Sequence, residues 1–179
     1  MAAHGDLDRV QALLEEMPEL LHLAHEWKPG DTETAIQAAA HVGNRAIAEF
    51  LLSRGAPLEI STAAMLGQVE TVREMLRDSP ALAQQKSAHG IPLLPHAALS
   101  GLVEMLHLVY SHGAKEGGSL ALGLAVARGY TDAVRWLLSN AQPDLNRPSL
   151  QGKTPLQIAL EAGHTEIADL LRQHGARSC

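Results

Sequence analysis

The sequence lacks several features that would point to particular classes of protein. It has one cysteine, Cys179 at the last position, so internal disulfides and a cysteine-ligated zinc site are excluded. It has no run of lysine and arginine and a net charge of −6, which argues against a nucleic-acid partner. No apolar stretch approaches the roughly 20 residues of a membrane span, and the N-terminus lacks a signal-peptide layout. We therefore expect a cytoplasmic protein without a membrane partner.

Aromatic residues are also scarce, at 3% of the 179 residues, whereas apolar residues make up 46%. The length is sufficient for one domain with a real core and short for two. Because so few aromatic side chains are available, that core must be built mainly from leucine, alanine, valine and isoleucine. We expect a single domain over residues 1–179.

The chain repeats itself around six glycines: Gly5, Gly43, Gly67, Gly101, Gly129 and Gly163. Four positions relative to each glycine are apolar in every copy. Two of them lie four and three residues before the glycine, and the other two lie five and eight residues after it. This register predicts six copies of one unit, in which a small-residue helix ends at the glycine and a second, antiparallel helix follows. One such helix pair cannot bury its apolar face alone, so the copies must stack.

The last copy resembles an ankyrin repeat in full. Residues 152–159 read Gly-Lys-Thr-Pro-Leu-Gln-Ile-Ala, and Gly163-His164 and Gly175-Ala176 follow. The copies around Gly43 and Gly101 follow the same pattern less closely. The resemblance implies an all-α ankyrin-type solenoid of about six stacked helix-turn-helix repeats with short, irregular hairpin fingers. The repeats are expected at roughly 1–31, 32–59, 60–89, 90–117, 118–149 and 150–179.

Two departures from the family pattern affect how the copies join. The usual histidine after Thr-Pro-Leu is replaced by Gln37, Pro95 and Gln157, so its hydrogen bond between repeats is in question. The spacings of 24 residues after Gly43 and 28 after Gly101 leave too little chain for full fingers. The alternation of short and long connectors indicates a stack built from pairs of repeats.

The resemblance also implies where a partner would bind. In ankyrin-type stacks the fingers and the outward side of the first, inner helices form a concave groove, which the register places around the end of each inner helix. Its central part is apolar, which is typical of protein recognition. The alternative is that irregular connectors fold over this stripe. Residues expected to contact a protein or peptide are Trp27, His41, Val42, Met65, Leu66, His96, Leu99, Ser100, Leu124, Ala127, Arg128 and Glu161.

Trp27 lies in a turn-rich stretch that matches a finger. An exposed tryptophan at a loop tip is a plausible binding anchor. Packing of the indole onto its own repeat is an equal alternative, and the sequence does not separate the two.

The sequence gives little support for metal binding or catalysis. His22 and His25 could share a helix face, but no third ligand can be named, so no metal or cofactor is predicted. The other histidines mostly fall at helix ends, where they can bond terminal carbonyls. No nucleophile stands beside a base, so we expect no enzyme activity. End-to-end self-assembly of the stack is a further alternative to a monomeric binding module.

Overall fold

The structure, a computed structural model, describes residues 2–177. Paired helices joined by short turns follow one another along the chain, and a small antiparallel hairpin precedes the first full pair. The hairpin is formed by β1 (Ala24–Lys28) and β2 (Asp31–Thr34). The helices are α1 (Leu7–Glu16), α2 (Ala35–Val42), α3 (Arg45–Ser53), α4 (Ile60–Met65), α5 (Val69–Asp78), α6 (Leu93–Leu99), α7 (Val103–Ser111), α8 (Gly118–Ala127), α9 (Thr131–Asn140), α10 (Pro155–Glu161) and α11 (Thr165–Gln173). Short 3-10 turns lie at Ala2–His4, Pro18–Leu21, Pro80–Gln84 and Ala88–Gly90.

The inner helices α2 and α10 begin at threonines that form capping boxes. The Thr34 hydroxyl accepts from the Gln37 N–H, and the Gln37 side-chain oxygen accepts from the Thr34 N–H at 3.0 Å. Gln37 also donates to both carboxylate oxygens of Glu59, which precedes α4. The glutamine that replaces the usual histidine therefore provides a bond between repeats by a different route.

The repeating glycines take the backbone conformation that the register requires. Five of the six, from Gly43 to Gly163, have φ between +70° and +74°. Only glycine adopts this region without a Cβ penalty, which is why each inner helix ends there. Gly5 does not share it, and the helix before it is a 3-10 turn of three residues. The first copy therefore departs from the pattern predicted for all six.

The core follows the stack of inner helices, with α2, α4, α6, α8 and α10 packed in series. Its buried side chains are almost entirely aliphatic, as the composition predicts. Val72 and Leu106, which both stand five residues after their glycine in the outer helix, are 0% exposed. No helix within residues 2–177 is both long and apolar enough to cross a bilayer.

The ends of distant inner helices also meet directly. The Arg128 guanidinium, just after α8, donates to the backbone carbonyl of Val42 at 2.6 Å and to that of Gly43 at 3.3 Å. The Leu99 side chain lies 2.9 Å from the position a Cβ would occupy on Gly43. The concave side is therefore closed in the middle of the stack, where α2, α6 and α8 converge.

Candidate functional site

The central residues of the predicted groove are not on the surface. Met65, Leu66, His96 and Leu99 are 2%, 5%, 1% and 5% exposed. The expectation that they form an open apolar stripe is wrong, because the end of α2 lies against them. Met65, Leu66 and Leu99 belong to the same buried cluster as the alanines of α2. Leu99 also lies beside Gly43, at the end of α2.

The remaining groove positions are at least partly accessible. Ala127, Arg128 and Glu161 are exposed, and His41, Val42, Ser100 and Leu124 are half-buried. Glu161 pairs with Lys153 at the base of the last finger. The accessible part of the concave side therefore lies on α8 and α10.

The finger between α9 and α10 carries an apolar residue that the sequence reading missed. Leu150 is fully exposed within the turn-rich stretch 148–152. The signal that drew attention to Trp27, a large apolar side chain among turn residues, is present here as well.

Trp27 lies on β1 and covers a group of ionisable side chains. Its indole is 41% exposed, and its Nε1 donates to Glu33 Oε2 at 2.9 Å. The His25 ring meets the indole edge-on, with centroids 4.8 Å apart. The indole therefore packs onto its own repeat, which was one of the two interpretations of Trp27 that the sequence left open. Contact with a partner through its exposed part stays a prediction.

Beneath Trp27, four segments bring three histidines around one buried carboxylate, Glu33 on β2. His41, near the end of α2, places Nδ1 2.9 Å from Glu33 Oε1. His89, from the 88–90 turn, places Nε2 3.3 Å from the same oxygen. His4, from the N-terminal 3-10 turn, places Nε2 3.6 Å from Oε2. We call His4, Glu33, His41 and His89 the histidine cluster.

Comparison with known families identifies the architecture. A family model described as ankyrin repeats (three copies) matches residues 94–178, and one described as ankyrin repeat matches 31–63. The chain belongs to the ankyrin repeat family. Ankyrin repeats are generally protein–protein interaction modules and are typically not enzymes. The histidine cluster includes one residue on each side of the 31–63 match and two residues within it.

Two atoms of the histidine cluster stand out within this ankyrin stack. Glu33 Oε1 and His41 Nδ1 are buried, and neither makes a well-formed hydrogen bond within the described residues. They lie 2.9 Å apart without the alignment that a hydrogen bond needs. A buried polar atom left without a partner costs about 1–3 kcal/mol.

Burial sets the protonation of His41. Loss of solvent lowers its pKa from the ordinary 6.5, the charge of Glu33 opposes the shift, and His4 and His89 add to it. His41 is therefore a neutral imidazole at neutral pH. Asp31 accepts hydrogen bonds from the side chain and the backbone N–H of His89, and these lower the pKa of the Asp31 carboxyl.

His89 holds an unusual backbone conformation, with φ at +59°. Histidine is one of the few residues besides glycine that visits this region with any frequency, and such positions cluster at functional sites. The two bonds to Asp31 fix the residue there.

His96 on α6 is buried behind His41. Burial lowers the pKa of His96 to about 4, the nearby His41 adds to the shift, and the Ala40 backbone opposes it. Neither ring nitrogen makes a well-formed hydrogen bond within the described residues. His96 is thus a neutral core side chain and not the partner contact that the register predicted.

We expect the ankyrin stack to lose stability in mild acid because of His96. With a pKa of 6.5 when unfolded and about 4 when folded, the unfolded chain binds the proton first. Stability is complete above pH 6.5, falls as the pH drops, and reaches its full loss of about 3 kcal/mol below pH 4. Urea unfolding across this range, in a chelating buffer, measures the change.

The matched variant for this measurement is His96→Leu, which should remove about 3 kcal/mol of the pH dependence between pH 6.5 and 4. His112→Leu, at an exposed site, is the control and should keep the wild-type slope. Equal slopes for wild type and His96→Leu would mean that His96 titrates normally in the folded chain.

Among residues 2–177, the histidine pair suggested by the sequence, His22 and His25, belongs to no group of three or more possible metal ligands. Both are exposed, and His25 contacts Trp27. The prediction for helix-end histidines is confirmed at His112 and His174, whose Nδ1 atoms lie 2.9 and 2.8 Å from the carbonyls four residues earlier. His4, Glu33 and His89 were missed because they come together only through tertiary contacts.

Proposed function

We propose that this ankyrin-repeat chain is a non-catalytic module that binds a protein or peptide through the accessible part of its concave side. We define this surface as the exposed residues of α8, α10 and the finger 142–153. Family membership supports the proposal, since ankyrin repeats generally mediate protein–protein contacts.

The observation that carries the proposal is the exposed apolar side chain of Leu150 at the finger. Burying a leucine against a partner is worth about 1.5–3 kcal/mol. Leu124 and Ile158 on the neighbouring inner helices are half-buried, and the exposed Ala127 leaves room for a close approach. Arg128 and Glu161 supply polar groups of the kind found at an interface rim.

We propose that the chain binds its partner as a monomer in the cytoplasm, without nucleic acid. The single cysteine fits a reducing compartment. The net charge of −6 does not favour nucleic acid.

The test is a double substitution, Ala127→Glu with Leu150→Glu. Both positions are exposed, so the fold should persist while two charges enter the proposed surface. We expect recovery of the partner to fall roughly tenfold or more, equivalent to about 1.4 kcal/mol of binding. Quantitative mass spectrometry of proteins cross-linked to the purified chain provides the measurement.

The matched control is Leu23→Glu, which places the same charge on an exposed leucine at the opposite end of the stack. This variant should recover the partner as the wild type does, and melting curves should show all three proteins folded. If the double variant captures the same proteins in the same amounts as the wild type, the surface on α8, α10 and the last finger is not the binding site.

A further inference from the structure

The histidine cluster joins parts of the chain that are far apart in sequence. His4 comes from the N-terminal turn, Glu33 from the finger hairpin, His41 from α2, and His89 from the connector before α6. The ligand-type atoms of His4, Glu33 and His41 all lie within 4.8 Å of one another. The Nε2 atom of His89 lies 3.3 Å from Glu33 Oε1.

The buried atoms of the cluster converge on a shared space without bonding to each other. Glu33 Oε1 and His41 Nδ1 are 2.9 Å apart, and neither has a hydrogen-bond partner among the described residues. Neighbouring atoms of this kind are what a single cation beside them would bind. Bound to one cation, both would be satisfied at once.

The other ends of two of these side chains are held by neighbouring groups. Glu33 Oε2 accepts a hydrogen bond from the indole of Trp27, which leaves Oε1 as its free oxygen. Asp31 accepts from His89 at 3.0 Å. An ionised carboxylate only accepts, so Nδ1 of His89 carries the hydrogen in this bond and Nε2 is the ring nitrogen that faces Glu33. Zinc-binding histidines typically donate their other ring N–H to a carboxylate in the outer shell, as His89 does to Asp31.

The distances match the size of a small transition-metal ion. Bonds of 2.0–2.2 Å from tetrahedral Zn²⁺ to nitrogen and oxygen put neighbouring ligand atoms about 3.3 Å apart. His41 and His89 lie 2.9 and 3.3 Å from Glu33 Oε1, and the ligand atom of His4 lies within 4.8 Å of those of Glu33 and His41. Ca²⁺ and Mg²⁺ prefer oxygen ligands, so three imidazoles select against them.

We propose that His4, Glu33, His41 and His89 bind one Zn²⁺ ion. Four protein ligands leave no open coordination position, so the site is structural and not catalytic. The ion ties the N-terminal turn and the hairpin to α2 and to the connector before α6. This site strengthens the first copy of the repeat, whose inner helix is only a 3-10 turn.

The first test is metal binding by the untagged wild-type chain after removal of metals with a chelator. We expect a titration with Zn²⁺ to saturate at one ion per chain. Co²⁺ should give the visible absorption of a tetrahedral nitrogen–oxygen site, and Zn²⁺ should abolish it. Saturation at one ion together with the tetrahedral spectrum supports the proposal. Weak binding that does not saturate overturns it, and this measurement needs no variant.

The second test assigns the ligands. Glu33→Gln keeps an oxygen for the Trp27 indole but removes the carboxylate, and His41→Ala removes one imidazole. Both should weaken Zn²⁺ binding by more than the roughly 10–100-fold typical of outer-shell changes. Asp31→Asn acts through His89 and should fall within that range of about 10–100-fold.

The matched control is His22→Ala, an exposed histidine of the same region that lies outside the cluster. It should bind Zn²⁺ as the wild type does. If His22→Ala loses affinity as much as His41→Ala, or if both cluster variants bind as the wild type does, the ion is held by other residues and the proposal is wrong.

Discussion

Replacing Leu99 by glutamate is expected to unfold the chain at neutral pH. Leu99 is 5% exposed and packs against Gly43 at the end of α2. The change removes a buried side chain and puts a charge without a partner in its place. The two costs together exceed about 5 kcal/mol, the lower end of the total stability of a natural domain. Circular dichroism and urea titration would show a loss of the cooperative transition.

The control is Leu160→Glu, the same substitution at an exposed position on α10. It should change the free energy of unfolding by less than about 0.5 kcal/mol, as exposed sites usually do. A folded Leu99→Glu protein with near wild-type stability would mean that the concave side is open in solution. Substitutions at Leu66 or Leu99 therefore report on folding and are unsuitable as probes of partner binding.

The second large effect is expected from Leu137→Ala in α9. Leu137 is 0% exposed and lies within the larger of the two hydrophobic clusters. Removing its side chain should lower the free energy of unfolding by about 2–5 kcal/mol, through lost burial and the cavity left behind. Because repeats are stabilised by their neighbours, the loss should reach the flanking helix pairs and broaden the unfolding transition.

The adjacent Leu138 offers a matched control, since it undergoes the same substitution in the same helix while only half-buried. Leu138→Ala should cost clearly less than Leu137→Ala. If both variants lose the same stability, or if Leu137→Ala costs less than about 1 kcal/mol, the outer-helix position that Leu137 occupies is not part of the buried core.

Much of the fold could be predicted because it depends on short sequence patterns. Left-handed glycines such as Gly129 end each inner helix, and capping threonines such as Thr154 begin two of them. Apolar columns at fixed distances from these glycines identified Val72 and Leu106 as core. These features depend on a few neighbouring residues, so the sequence displays them directly.

The closed middle of the concave side could not be predicted from the repeat register alone. The register places Met65, Leu66 and Leu99 on the outward side of their own helices. It describes each repeat by itself and does not say what packs against that side. Met65 and Leu66 on α4 cluster with the neighbouring inner helix α2, and Leu99 on α6 lies against Gly43 at the end of α2, two inner helices away. The overall path of the stack, and not the pattern within one copy, determines whether these side chains meet water.

The histidine cluster escaped prediction for a related reason. His4, Glu33, His41 and His89 have no common spacing, and the first and last are 85 positions apart. Only His41 was singled out, and it was assigned to a partner surface. Spacing rules detect metal ligands that share a helix or loop, which is the arrangement that the spacing of His22 and His25 suggested. They do not detect ligands that four separate segments contribute.

The hydrogen bond from Arg128 to the carbonyl of Val42 gives this solenoid a property that open stacks do not have. In an open stack, terminal copies can peel away one after another under tension, because each holds only its neighbours. Here the second copy is attached to the fifth, so pulling on the two ends loads that link before the copies between them. Extension should therefore release the intervening copies in a single step.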